Sequence, residues 1–522
     1  MYQIQALRDI LIKFTASRQT AVLLFFGLSG LYLSLSPAAI AGQGYTAEEL
    51  KSGERMLAVA DAWMKGSPIP PMVWSRHGPI PVLFDLPFIE LGQSFVSSDF
   101  MLSCQPVLLT ALLLVVLYLW LRKLCSPGMS LLLTMSGAFS TMLWPYAYIS
   151  LETKQTLFVL LAGYLALARG EIINWPRVLA FAAVCGLSVS LKSTGIVLFP
   201  AIGYLIYVQF RDNWRSRRAQ LLILLLVVGA IWAMGAISRN YYWGPKGGGA
   251  NNLRTWLADS PFQLFTNVIG LFGSPTKGLF VYAPILLVTL YAIPQAFRIH
   301  RPTVIYTLLV VGGTLALLAP LSTPVDETWG PRYLHTAVPL LLLCVGAAWP
   351  RFRWRRDIPL LALAALGLLI SFLGAFYYYG VQDIAAARAG QNTIEWITGD
   401  SDWNHVTFNA RLLRVWLAKG TGPVLWTPKH TWVWRPPVGA QEWKSVDLRD
   451  LCQPQSFMVR FWNAPKPGVV LTVFRMYVGS LILGLVCLTL AGLRTLMEHR
   501  IALVEHRIAL AKFAAVADHA GN

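Results

Sequence analysis

The sequence predicts an all-α polytopic membrane protein of about twelve transmembrane helices, from its composition, its apolar runs and the placing of its basic residues. Of 522 residues, 56% are hydrophobic and only 13% charged, a balance typical of membrane proteins and unlike a string of soluble domains. Apolar runs fall near residues 20–39, 104–121, 129–148, 156–168, 178–191, 195–210, 219–237, 278–297, 304–321, 337–349, 358–378 and 476–493. Several are shorter than the ~20 residues a straight crossing uses.

The formal charge of +18 raises the question of nucleic acid. Much of the Lys and Arg, however, sits in short clusters between apolar runs, such as Arg211, Arg215, Arg217 and Arg218, or Arg351, Arg353, Arg355 and Arg356. That is the positive-inside pattern. A nucleic-acid binder would carry its basic residues on a soluble face instead. Placing Arg8, Lys13 and Arg18 in the cytoplasm and alternating from there sends Arg122 with Lys123 to the same side. Arg169 with Arg177, the 211–218 cluster, Arg298 with Arg301, the 351–356 cluster and the tail after Arg494 join them. Both termini are then cytoplasmic.

The opposite side receives two long polar stretches, 40–103 and 379–470, and two shorter ones, 238–277 and 322–336. Function belongs there, because loops outside the bilayer display chemistry on a rigid helical scaffold. The chain divides into a transmembrane domain (1–378), a small extracytoplasmic Trp-rich domain of α/β or irregular structure (379–470), and a last helix with a cytoplasmic amphipathic tail (471–522).

At the N-terminus a cleaved signal peptide competes with a first span, since small residues Ala38, Ala39, Ala41 and Gly42 follow the apolar run; the run is long for a signal peptide. The segment from Gly44 to Gln93 carries the densest chemistry. Its first half reads as an amphipathic helix with Glu48 and Glu49 near the start, either as helix-capping carboxylates or as a catalytic base at the membrane surface. The Gly-rich tract Tyr241–Asn252 (YYWGPKGGGANN) reads as a loop over a site and lacks the Gly-x-x-x-x-Gly-Lys phosphate-loop spacing. Beyond 379 the many tryptophans, Trp396 to Trp462, pack a core, sit at the interface or stack on sugar rings. MEHRIAL from Met497 repeats as VEHRIAL from Val504, a heptad that forms a short amphipathic helix. The six cysteines show no metal spacing. Cys125, Cys185, Cys344 and Cys487 read as small buried hydrophobes, and Cys104 and Cys452 both face the oxidising side, where a disulfide is one alternative.

An acidic pair after the first span, a short helix, and a Gly-Pro-rich stretch around His77, Gly78, Pro79 and Pro81 resemble the first external loop of GT-C membrane glycosyltransferases. Met142–Thr156 (MLWPYAYISLETKQT, with Glu152), Phe272–Pro284 (FGSPTKGLFVYAP) and Trp329–Leu334 (WGPRYL) are similar to further motifs of that superfamily, in order. Its members include protein O-mannosyltransferases and aminoarabinose transferases of lipid A. The resemblance implies a GT-C fold, a bacterial inner (plasma) membrane and transfer, with inversion, of a sugar from a polyprenyl-phosphate donor. The acceptor it implies is a lipid, a polysaccharide or a protein outside the cytoplasm, with membrane lipids as partners and no nucleic acid. Relatives often carry Asp-Glu or Asp where this chain has Glu48-Glu49, so which glutamate serves stays open.

Such a transfer has a good leaving group, so it needs a base and positive groups for the departing phosphate rather than a general acid. Arg332, Lys277, Arg239 and Lys192 lie at external helix ends and are the candidates for lipid phosphate, with Arg332 first because its fork holds phosphate bidentately. Their plain alternative is snorkelling at the interface. Glu152, His77 and Tyr333 are candidate supporting residues, with a turn role as the alternative for His77. No cofactor is implied with certainty: the sequence shows no metal site, and a divalent metal at the acidic loop is left open because some relatives use one. A secondary transporter or flippase would need charges at mid-membrane, which Lys192 would supply if the runs 178–191 and 195–210 formed one broken helix. A non-catalytic scaffold would make the acidic pair dispensable.

Overall fold

The computed structural model describes residues 2–35, 45–67, 79–95, 98–148, 150–170, 172, 174–243, 260–321, 329–351, 357–376, 405–419, 478–498 and 500–501. In chain order its helices are α1 (Tyr2–Leu35), α2 (Tyr45–Met64), α3 (Pro79–Leu83), α4 (Leu86–Phe95), α5 (Ser98–Leu124), α6 (Pro127–Phe139), α7 (Leu143–Tyr146) and α8 (Ser150–Gly163). They continue with α9 (Trp175–Ser190), α10 (Phe199–Phe210), α11 (Arg218–Trp243), α12 (Pro261–Gly273), α13 (Leu279–Tyr282), α14 (Thr289–Ile299) and α15 (Arg301–Leu318). The last are α16 (Ala337–Ala348), α17 (Ile358–Phe376), α18 (His405–Lys419) and α19 (Val478–Glu498).

The chain is a helical, multi-pass membrane protein. Among the described residues, six helices are long and apolar enough to cross a membrane: Arg18–Leu35, Met101–Leu124, Arg218–Ile237, Arg301–Leu318, Ile358–Phe376 and Val478–Glu498. Each remaining apolar run of the sequence also falls on helix, but in shorter pieces. The run 129–148 is not one helix: α6 stops at Phe139 and α7 begins at Leu143, with Ser140, Thr141 and Met142 between them. The run 278–297 is likewise split into α13, a 3-10 turn (Pro284–Val288) and α14. Serine or asparagine followed by proline sets several starts. Ser126 accepts from the Met129 amide before Pro127, Asn174 from Arg177 before Pro176, and Ser260 from Gln263 before Pro261.

Packing is tight because glycine and hydroxyls replace the hydrophobic drive that lipid removes. α1 lies against α5 and, through Gly27 and Gly30, against α19. A Cβ on Gly30 would run into the Ser480 carbonyl, and one on Gly484 would lie 2.7 Å from the Leu31 amide. Inside the bundle, hydroxyls bolt helices together: Tyr32 to the Ala138 carbonyl at 2.7 Å, Tyr306 to Val159 at 2.8 Å and Ser371 to Thr141 at 2.9 Å.

α9 and α10 form a hairpin. Gln209, near the end of α10, accepts from the Ile172 amide just before α9 at 3.0 Å and donates to the Ala166 carbonyl in the π-helical turn (Tyr164–Ala168) that continues α8. The start of α9 and the end of α10 therefore lie together, and the residues between the two helices are at the opposite end. The runs 178–191 and 195–210 are thus not one broken helix.

Candidate active site

Three helix ends build the site. Glu152 stands in the first turn of α8, where the helix dipole favours a carboxylate. Lys192 lies at the tip of the α9–α10 hairpin, in extended backbone (φ −130, ψ 152) just before the 3-10 turn Ser193–Leu198. Gly195 permits that tip, since a Cβ there would run into the Val189 carbonyl. Arg332 opens the 3-10 turn Arg332–Leu334 before α16. The turn follows Gly330, whose φ of +60 suits glycine, and the Tyr146 hydroxyl holds the Trp329 carbonyl at 2.8 Å.

These ends converge on one carboxylate oxygen. Lys192 Nζ donates to Glu152 Oε1 at 2.7 Å, and Arg332 Nε lies 3.3 Å from the same atom. All three residues are buried, with exposures of 8%, 4% and 7% for Lys192, Glu152 and Arg332. Tyr333 lies beneath both cations, its ring centre 5.7 Å from Lys192 Nζ and 5.1 Å from the Arg332 guanidinium. On the other side Thr156 Oγ1 meets His335 Nδ1 at 2.7 Å and Thr336 Oγ1 at 3.0 Å.

The residues line a small pocket with a cavity volume of roughly 30 Å³. Its polar floor is Glu152, Gln155, Lys192, Arg332, Tyr333, His335 and Thr336, and its apolar wall is Val197, Leu198, Leu317 and Leu318. An ammonium and a guanidinium held together in a buried site are groups that recognise an anionic ligand such as a phosphate. The apolar wall suits a ligand whose anionic group is joined to a hydrocarbon chain.

A second buried pair sits on the same helix. Lys154 Nζ donates to Asp85 Oδ1 at 2.6 Å and to the Pro81 carbonyl at 3.0 Å. Gln105 donates to Asp85 Oδ1 at 2.6 Å and to the Phe84 carbonyl at 2.7 Å. Both partners are fully buried. The pair pins the short helices α3 and α4, against which α2 packs, to α8.

Of the phosphate candidates the sequence offers, the structure brings Lys192 and Arg332 together. Lys277 is buried in the turn between α12 and α13 and does not line the cavity. Arg239 lies in the last part of α11 and Glu48 and Glu49 near the start of α2, with side chains outside the described residues. His77, the tract 244–252 and Cys452 lie outside the described residues altogether, as does most of 379–470 apart from α18. Glu152 and Tyr333 are at the centre. The residues that sequence reading missed are Asp85, Lys154, Thr156, His335 and Thr336. The signal for Lys154 was there, in a charge two residues after Glu152 within an apolar helix, and His335 follows WGPRYL directly. Among the described residues no group of three or more His, Cys, Asp or Glu side chains is arranged to hold a metal.

No family model and no curated protein matches the chain. Among solved structures it is similar to the crystal structure of ArnT from Cupriavidus metallidurans in the apo state, at 15% identity and a TM-score of 0.45, over 94% of this chain and 78% of that one.

Proposed function

We propose that the chain is a membrane glycosyltransferase of GT-C type that moves a sugar from a polyprenyl-phosphate donor to an acceptor outside the cytoplasm, with inversion. The observation that carries this reading is the cavity in which Lys192 and Arg332 meet beside an apolar wall at the ends of three helices. A lipid phosphate combines the two chemistries that such a cavity recognises. Its negative charge faces the ammonium and the guanidinium, and its isoprenoid chain lies along the leucines and valine. Charge builds on the bridging oxygen as the sugar leaves, and fixed cations stabilise that charge without reorganising.

The acceptor hydroxyl needs a base, and Glu48 or Glu49 on α2 is assigned that role. The sign of the arrangement is consistent, since α2 rests on α3 and α4, which the Asp85–Lys154 pair ties to the helix that carries Glu152. We place the site on the extracytoplasmic side of an inner membrane, with both termini in the cytoplasm. The transporter alternative loses its main support, because Lys192 sits at a hairpin tip and not in a discontinuous helix.

The test is release of polyprenyl phosphate from a panel of polyprenyl-phosphate sugars by purified protein, with wild type beside Glu48→Gln and Glu49→Gln. Release that one of the two substitutions abolishes supports the reading and names the base. If no donor is consumed, even with an acceptor-rich membrane extract present, the transferase reading fails.

A further inference from the structure

We propose that the corner between α8 and α9 is a binding site for the head group of an anionic phospholipid, whose phosphate is held by Arg169 and Arg177. The site lies at the end of the α9–α10 hairpin opposite Lys192, and it does not depend on the reading given to the pocket there.

The corner is stiffly built. α8 runs on into the π-helical turn Tyr164–Ala168, the Arg169 amide bonds the Tyr164 carbonyl at 3.1 Å, and Gly170 turns the chain with a φ of +88. α9 then starts from the Asn174 cap with Pro176 in its first turn. Gln209 fastens the two sides together through the Ala166 carbonyl and the Ile172 amide. Between them lies a cavity of roughly 360 Å³, the size of a small-ligand site. Arg169, Asn174 and Arg177 give it a polar lining, and Leu165, Ile172 and Ala180 an apolar one. Among the described residues neither guanidinium is engaged in an ion pair or a hydrogen bond. Arg18 of α1 acts together with Arg169 on the Tyr164 phenol, so α1 brings a further basic group to the same corner.

The surroundings mark this end of the bundle as head-group level. Trp175 is 43% exposed at the start of α9, and Tyr207 and Trp214, on either side of Gln209 in the chain, are 59% and 51% exposed. Amphipathic rings at helix ends belong to the boundary between lipid and water. Leu179, 46% exposed beside Ala180, carries the apolar surface on from the cavity along α9. A ligand that uses both linings has a phosphate joined to hydrocarbon. Guanidinium forks match paired phosphate oxygens, and basic pockets between helices at this depth recognise anionic head groups. A free phosphate would engage the arginines and leave the apolar lining unused.

The experiment is native mass spectrometry of purified full-length protein in detergent, titrated with phosphatidylglycerol or with phosphatidylcholine of the same acyl chains. Wild type is compared with Arg169→Gln/Arg177→Gln, and with Arg211→Gln/Arg215→Gln as a control on the neighbouring basic segment. The expected result is that wild type prefers phosphatidylglycerol, that the first variant binds it about thirtyfold more weakly with phosphatidylcholine unchanged, and that the control keeps the preference. An excess of inorganic phosphate is expected to leave the lipid bound. Equal binding of the two lipids by wild type, or an undiminished preference in the Arg169/Arg177 variant, overturns the proposal. An equal loss in the control pair overturns it as well, since diffuse surface charge would then account for the attraction. Displacement by equimolar inorganic phosphate would show a plain anion site and overturn the lipid assignment. Should the double variant not fold, Arg177→Gln alone is expected to lose about fivefold, and no loss overturns the proposal.

Discussion

Two buried ion-pair clusters stand two residues apart on α8, and they differ in what lies beside them. Asp85 and Lys154 pair at 2.6 Å, both fully buried, with Gln105 on the same carboxylate oxygen and the Pro81 carbonyl on the ammonium. At Glu152 two cations from separate elements meet one carboxylate oxygen, and a small pocket adjoins them. The Asp85 pair fastens α3 and α4 to α8 and belongs to architecture. Two cations beside a pocket are where binding of an anion is to be sought. Removing one member of a buried pair leaves an uncompensated charge, so both are costly to break, but only one breakage should touch chemistry on a folded molecule.

The largest effect should come from Arg332→Gln, expected to lower the rate of polyprenyl phosphate release about 10³-fold with folding retained, as removal of a preorganised charge from a transition state does. Normal release by this variant would dissolve the contrast between the two pairs. Asp85→Asn should cost about 3 kcal/mol of stability by stranding Lys154, read as a lower thermal midpoint of the purified protein, with activity per folded molecule nearly kept. The double variant Asp85→Asn/Lys154→Met should recover much of that loss, which would establish the pair as architectural. Lys192→Gln should weaken donor affinity roughly tenfold, less than the loss at Arg332, because a lysine offers a point charge where arginine offers a fork. The smallest effect belongs to Tyr146→Phe. It frees the Trp329 carbonyl before the arginine turn and should cost about 1 kcal/mol, with a change in release of only a few-fold.

What the sequence made legible follows what periodicity and hydropathy encode. Apolar runs fall on helix because a lipid-facing backbone must bond within its own segment. Where they were misread, as at 129–148 and 278–297, the chain breaks at Ser140–Thr141 and at Pro284, breaks that depend on neighbouring helices accepting the interruption. Arg332, Lys192 and Glu152 were each legible as charges at helix ends. Their meeting was not, because it depends on the hairpin of α9 and α10 and on the turn after Gly330, neither of which leaves a local spacing. Asp85 was invisible for a related reason: alone in FDLPF it reads as a turn residue, and only its contact with Lys154 across 69 positions gives it a role.

The crossing of α1 with α19 at Gly27, Gly30 and Gly484 also constrains how the molecule is made. The groove of α1 that receives α19 is made long before its occupant, which follows it by more than 400 residues and leaves the ribosome much later. Until then lipid, or a chaperone of the insertion machinery, must line that groove. The latch from Arg122 to Glu498, at 3.0 Å, can close only then. Assembly therefore has a late event that joins α19 to helices made much earlier. A bulky residue at position 30 should arrest the protein as an inserted bundle of earlier helices with its last member undocked, and so expose the C-terminal segment to protease while the rest stays protected.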